Sequence, residues 1–231
     1  MPDPGEIEDM EFMIDSDRLN LILTVLKVKK GTDLELFFKD RDQIEGFKQY
    51  LDEWSGLNYK IEENIGSTNL ASLYSLFTQR DHHIEDMLNR DFICRGYISY
   101  DKKALDRYVR VEFLRRFTGS GGILSSLFHR RAGEFYGFPD QDINAFIYSN
   151  AEGLNRKIME LRDQDIRRIS SEESFDKYSG SGLDANDKSV FVRLTHHVLA
   201  DRQDSFEKQL DLVKKREKAA EEIGVKTEDY L

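Results

Sequence analysis

The stretch His129-Arg130-Arg131-Ala132-Gly133-Glu134-Phe135-Tyr136-Gly137-Phe138-Pro139-Asp140-Gln141-Asp142-Ile143-Asn144-Ala145-Phe146-Ile147-Tyr148 decides how this chain folds. A helical pattern enters it, stops at Gly137, turns through Phe138-Pro139 and restarts as a second short helix. Glycine is the usual residue just past a helix end, and proline opens the next one, because its missing N–H is not needed there. Pro139 is the only proline beyond residue 4, so the chain fixes its own geometry most firmly at this point.

Working outward, Asp17 opens a helical pattern (Leu19, Ile22, Leu23, Leu26) that Lys29-Lys30-Gly31 is expected to stop. Leu34 to Phe38 reads as a short strand. Asp40 to Trp54 reads as a helix with Ile44, Phe47, Leu51 and Trp54 on one face, and Leu57 to Ile61 as a second strand. Asn69 to Leu88 has a helical pattern, Phe92 to Tyr100 a strand pattern. Asp101 is placed as the N-cap of a helix carrying Leu105, Val109, Phe113 and Phe117. Thr118 to Gly122 is a break before the opening stretch. Residues 151–170 read as a charged helix, 171–188 as a polar loop, and Ser189 to Val198 as a strand. A closing helix runs from about Asp201 to Ile223 and ends at Gly224. The pattern predicts a helix-rich α+β single domain with a small sheet and a long C-terminal helix. Within it, 1–10 is expected to be a flexible acidic tail, 11–100 an N-terminal α/β part, 101–224 a helical part, and 225–231 a tail.

Composition narrows the function. The 231 residues are 39% apolar and 34% charged, with a net charge of −10, which disfavours general nucleic-acid binding or a membrane-surface role. Cys94 stands alone, so one chain can form neither an internal disulfide nor a cysteine-bound metal cluster. The acidic start is unlike a signal peptide, and no apolar run approaches the ~20 residues that span a bilayer. A cytoplasmic protein without a cofactor is the expectation.

One asymmetry interrupts the acidity. In the basic segment 102–131, counted with Asp101 at its edge, eight Lys/Arg stand against three acids. Arg115, Arg116, Gly121, Gly122, Arg130 and Arg131 form a candidate anion site, since glycines before a helix expose N–H groups and arginines supply forked donors. The competing reading is a surface loop whose arginines pair with the protein's own acids. His129 with Glu134 and Tyr136 could compose an acid–base group, but no nucleophile accompanies them, and no catalytic residue is assigned. Phe113, Phe117, Phe128, Phe135 and Phe146 follow helical spacing and read as core, as does Cys94.

Two segments carry a resemblance. Gly133 to Phe146 resembles a Gly-Tyr-Pro-x-Cys-Cys-x-x-x-Phe motif, and Leu194 to Glu207, with its His196-His197-Val198, resembles a downstream His-His-Val-Pro-Cys-Ser-x-x-Cys. Both motifs belong to an uncharacterised, largely archaeal family, domain of unknown function 483, and the likeness spans roughly residues 70–220. Its four cysteines imply zinc or an iron–sulfur cluster in the relatives. Here Gln141, Asp142, Ala200 and Asp204 stand at those positions, so the chemistry of the thiols does not transfer. Asp140 and Asp142 suit the first turn of a helix, and Asp204 suits an N-cap facing Glu207. A rival reading makes His197, Asp142, Asp204 and Gln141 an oxygen-rich metal site.

The resemblance therefore implies a non-catalytic scaffolding or partner-binding relative that has lost a cysteine metal or cluster site. Its partner would be another protein or a second copy of the chain, with no membrane involved. The alternative is an anion-, phosphate- or nucleic-acid-binding module using the 102–131 segment. Both readings require that the turn at Pro139 and the segment near Ala200 meet in space.

Overall fold

A computed structural model describes residues 2–63, 92–118, 123–150, 168–170, 175–176, 179, 197–199 and 203–227. The described elements run α1 (Asp15–Val25), β1 (Gly31–Phe38), α2 (Arg41–Asp52), β2 (Asn58–Glu62) and β3 (Phe92–Ser99). They continue with α3 (Lys102–Thr118), α4 (Ile123–Tyr136), α5 (Asp140–Asn150), β4 (Arg168–Ser170), β5 (His197–Leu199) and α6 (Gln203–Glu221). The fold is helix-rich α+β. Strands β1, β3 and β2 form an antiparallel sheet with β3 in the middle, and β4 pairs with β5 in a separate two-stranded ribbon.

The central pairing sorts residues onto two faces, because partners opposite each other share a face. Leu34, Leu36 and Phe38 lie opposite Gly96, Cys94 and Phe92, and this face packs on α1 and α2 through Leu21, Ile22, Val25, Ile44, Phe47 and Leu51. Asp33 and Glu35 lie opposite Tyr97 and Arg95, and Glu62 of β2 joins that second face across from Arg95. There the cover is α3 and α4, through Leu105, Tyr108, Val109 and Phe135. Helix α1 is buried on two sides: Leu19 and Leu23 turn away from the sheet to pack on Phe175, Phe206 and Val213, the last two from α6. Among the described residues no helix is long and apolar enough to cross a membrane.

Helix α4 ends at Tyr136, Gly137 takes φ +82°, and α5 begins at Asp140, as the opening stretch predicts. Gly133 lets the two helices touch: a Cβ there would stand 2.5 Å from Cγ1 of Ile143. Helix α2 is closed at its start by a reciprocal pair, Gln43 N–H donating to Asp40 Oδ1 and Lys39 N–H to Gln43 Oε1, each at 2.8 Å.

Several expectations change. Helix α1 is ended by Lys27, not Gly31: Lys27 takes φ 61°, and the N–H groups of Val28 and Lys29 both donate to Leu23 O, folding Lys29 back beneath the helix. Gly31 instead opens β1, where a Cβ would lie 2.8 Å from Phe135 O. The start of the chain is anchored rather than loose, since Ile7 is buried and Tyr50 Oη donates to Asp3 O at 3.1 Å. At the other end Val225 and Thr227 are buried too. Phe113 is 52% exposed, so the step of four from Leu105 leaves the core before it reaches this residue. Arg168–Ser170 is a strand where a helix was expected, and α6 begins at Gln203, which places Asp204 inside the helix rather than at its cap. The helix expected over 69–88, most of 151–170, nearly all of the loop at 171–188 and most of the strand at 189–198 lie outside the described residues.

Candidate functional site

Helix α1 buries Leu19, Leu21, Ile22, Leu23 and Val25, and Asp17 and Asn20 stand one turn apart on it. That pair faces the edge of β1. Asp17 Oδ2 accepts the Glu35 N–H at 2.8 Å, satisfying a backbone donor that no strand pairs on that edge. The folded-back turn delivers Lys29, whose Nζ donates to Asn20 Oδ1 at 2.7 Å. From the sheet come Thr32, Asp33 and Arg95. Helix α4 contributes His129, Ala132, Gly133 and Tyr136, which recur at helical spacing along one face. Asp142 and Ile143 from α5 and Gln209 from α6 close the far side. Together the described residues enclose a cavity of about 490 Å³.

Its electrostatics are unusual for a protein interior. Burial, reinforced by the charges of Asp33 and Glu35 and opposed by the Glu35 N–H, pushes the Asp17 carboxyl up to about 7. Burial, with repulsion from Arg216, brings the Lys29 ammonium down to about 8. Two groups that normally ionise far from neutrality are thus brought close to it. Tyr136 Oη donates to Asp33 Oδ1 at 2.6 Å and lies 3.1 Å from Tyr108 Oη. Burial, and then Asp33, raise the Tyr136 phenol well above its ordinary range, so it stays a donor.

Arg95 links this cavity to an ion network. Its Nη2 donates to Asp33 Oδ2 at 2.6 Å and its Nη1 to Glu112 Oε1 at 3.3 Å, while its buried Nε has no hydrogen-bond partner among the described residues. Glu112, 1% exposed, also accepts from Arg115 Nε and Nη2 at 3.0 and 3.1 Å. Arg116 reaches Glu62 at 2.8 Å and donates to Tyr97 Oη at 2.6 Å.

The residues singled out in the sequence fall into three groups. Arg115 and Arg116 are engaged by Glu112 and Glu62; Arg130 donates to Asn144 Oδ1 and Arg131 to Glu134 Oε2. Gly121 and Gly122 lie outside the described residues. Of the acid–base trio, His129 and Tyr136 line the cavity, whereas Glu134 is paired with Arg131. Asp142 lines it too and accepts from Gln209 Nε2 at 3.2 Å, which joins the start of α5 to the first half of α6. Helix α5 also packs against β5, so α5 lies beside both β5 and α6. Ala200 itself and the side chains of His197 and Asp204 lie outside the described residues, and Gln141 does not line the cavity. Among the described residues no three His, Cys, Asp or Glu side chains gather as metal ligands.

Asp17, Asn20, Lys29, Asp33 and Arg95 were not visible as a site in the sequence. The signal that could have found them is Asp33 and Arg95 on strands whose alternate residues pack in the core; Asp17 and Asn20 do not stand out on a helix that also carries Asp15, Ser16, Arg18 and Thr24.

Comparison of the chain with protein-family models, with curated proteins and with solved structures finds no match.

Proposed function

We propose that this protein binds a small polar molecule in the cavity at the edge of β1 and moves a proton on it. The observation that carries the reading is the convergence of Asp17, Lys29 and the Asp33–Arg95 pair on one enclosed space. Burying ionisable groups costs stability, and apolar side chains of similar size would fill the same space more favourably. Groups held near neutrality in a cleft are what acid–base chemistry requires. Asp17 acts as the base in its ionised form and Lys29 as the acid in its ammonium form. His129 and Arg95 Nε, the latter without a protein acceptor among the described residues, orient the ligand's oxygen atoms.

This reading and the one implied by the family resemblance, a non-catalytic scaffold or partner-binding relative, part over the cavity. The scaffold reading leaves it a packing gap. The test is thermal denaturation of the full chain against a panel of small hydroxy, amino and keto acids. A ligand that raises Tm in the native protein, but not in Asp17→Asn or Lys29→Met variants with native circular dichroism, supports the cavity. Stabilisation should peak between about pH 7 and pH 8, where Asp17 is ionised and Lys29 still protonated. A panel with no stabilising member, or equal stabilisation of the variants, removes the proposal.

A further inference from the structure

We infer that the ligand of this cavity is a small phosphate ester, whose phosphate is held in a basic groove on the outer side of Lys29 and Tyr136. The inference rests on the cavity reading above and adds the ligand's class. Three separate elements build the groove: the turn after α1 brings Lys27, Lys29 and Lys30, the start of α3 brings Lys102 and Lys103, and α6 brings Arg216. Against these six cations Asp101 is the single carboxylate lining the groove among the described residues. Such a concentration is conspicuous in a chain of net charge −10, where solubility asks for no local excess of cations.

The local pairings leave most of the positive charge in place. Lys30 Nζ lies 3.1 Å from Asp101 Oδ2, and Lys102 lies 3.1 Å from Asp106 Oδ2 on an exposed surface, where water screens the pair. Lys27 sits over the Tyr100 ring, 4.7 Å from its centre, and keeps its full charge. Lys29 bonds a neutral amide. Arg216 lies close enough to depress Lys29, while Asp33 and Asp17, on its cavity side, act in the opposite direction.

Asp101 Oδ1 already accepts the Ala104 N–H at 3.0 Å, so the start of α3 offers a capped end. Binding therefore falls to the ammonium groups, which suit a multiply charged oxyanion as point charges. The groove's volume, about 700 Å³, is that of a small-molecule site. Lys29 and Tyr136 line both the groove and the cavity, so the two adjoin at these side chains, and the inference sets one molecule across them.

The experiment is calorimetric titration of the full chain with pyrophosphate at neutral pH and low salt. Lys102→Gln/Lys103→Gln is compared with the charge-matched control Lys39→Gln/Lys208→Gln; all four lysines are exposed, and the fold is checked by circular dichroism. The groove predicts that pyrophosphate binds and that the first double variant weakens it about tenfold or more, about 1.4 kcal/mol, while the control does not. No heat from pyrophosphate, or equal loss in both variants, overturns the inference. Short single-stranded RNA binding much more tightly than pyrophosphate, with a steep salt dependence lost in the first variant, also overturns it, because the occupant would then be a nucleic acid. Failure of the cavity reading shows differently: no hydroxy, amino or keto acid stabilises the protein, while pyrophosphate still binds and is weakened by the first double variant.

Discussion

The two faces of the three-stranded sheet are made by the same two strands and are built on opposite principles. One carries Leu34, Leu36, Phe38, Cys94 and Ile98, all buried and all apolar apart from the thiol. The other carries Asp33, Glu35, Arg95 and Tyr97, and Arg95 ties it to Glu112 beneath α3. The apolar face explains why the chain folds, since burying one Leu or Phe side chain contributes about 1.5–3 kcal/mol. The second face also packs Tyr97 against Leu105, Tyr108 and Val109, but its ion pairs add little to stability, because an ion pair in the interior does no better than apolar side chains of the same volume. The difference teaches where function lies: on the side where the sheet gives up favourable burial for groups that can donate, accept and carry charge.

The sharpest way to break the comparison is to remove one member from each face. Arg95→Met leaves Glu112 and Asp33 each short of a cation in the interior, and is expected to destabilise the protein by about 3–5 kcal/mol. Leu36→Ala, at a fully buried position, is expected to cost about 2–5 kcal/mol by opening a cavity. Chemical denaturation across pH 5 to 9 separates them. The Leu36 variant should lose a constant amount, whereas the Arg95 variant should recover part of its loss at the acid end, where the stranded carboxylates take up protons. Equal, flat losses would mean that the charged face is ordinary packing.

Asp17→Asn should act in the opposite direction. The folded protein raises this carboxyl from 3.8 to about 7, so between those pH values the native state holds a proton that the unfolded chain has released. Stability contributed by the protonated group is therefore complete below about pH 4, falls as pH rises, and is lost above about pH 7, a swing of about 4 kcal/mol. Asparagine keeps an oxygen to accept the Glu35 N–H and carries no charge. The variant should match the native protein near pH 4 and exceed it by up to that amount at pH 8, with ligand binding lost. Denaturation midpoints at the two pH values test this, and a variant less stable at both would deny that Asp17 is held in strain.

How far these features could be read beforehand depends on whether they are local. The turn at Gly137-Pro139, the Asp101 cap and the ends of α2 and α6 rest on residues close in sequence, and the sequence placed them within a few positions. The cavity does not. Asp17 and Glu35 are joined by a side chain reaching a strand edge, and Tyr136 reaches Asp33 across 103 positions, which no spacing rule detects. Lys27 as a helix stop was masked by Gly31, the conventional candidate, because lysine enters the left-handed region only at a cost. The basic segment left two readings open because they turn on distant partners: a count of arginines cannot show that Glu62, far away in the sequence, lies against Arg116.

A smaller effect sharpens the comparison at the helices that cover the charged face. Gly133→Ala puts a methyl group 2.5 Å from Cγ1 and 2.7 Å from Cδ1 of Ile143, which is itself buried. The contact is relieved by a change of Ile143 rotamer or by a small separation of α4 and α5, and overpacking of this kind costs about 1–3 kcal/mol. Alanine favours a helix over glycine by about 1 kcal/mol, which offsets part of that loss. The net change in Tm should therefore be small. The change at the site should not be, because Gly133, Ile143 and the adjacent Asp142 all line the cavity. Separation of the two helices shifts Asp142 relative to Gln209, whose Nε2 it accepts from at 3.2 Å. A variant with nearly native stability but clearly weakened ligand stabilisation would show that the packing of α4 on α5 sets the shape of the cavity. Equal loss of both would assign Gly133 to the fold alone.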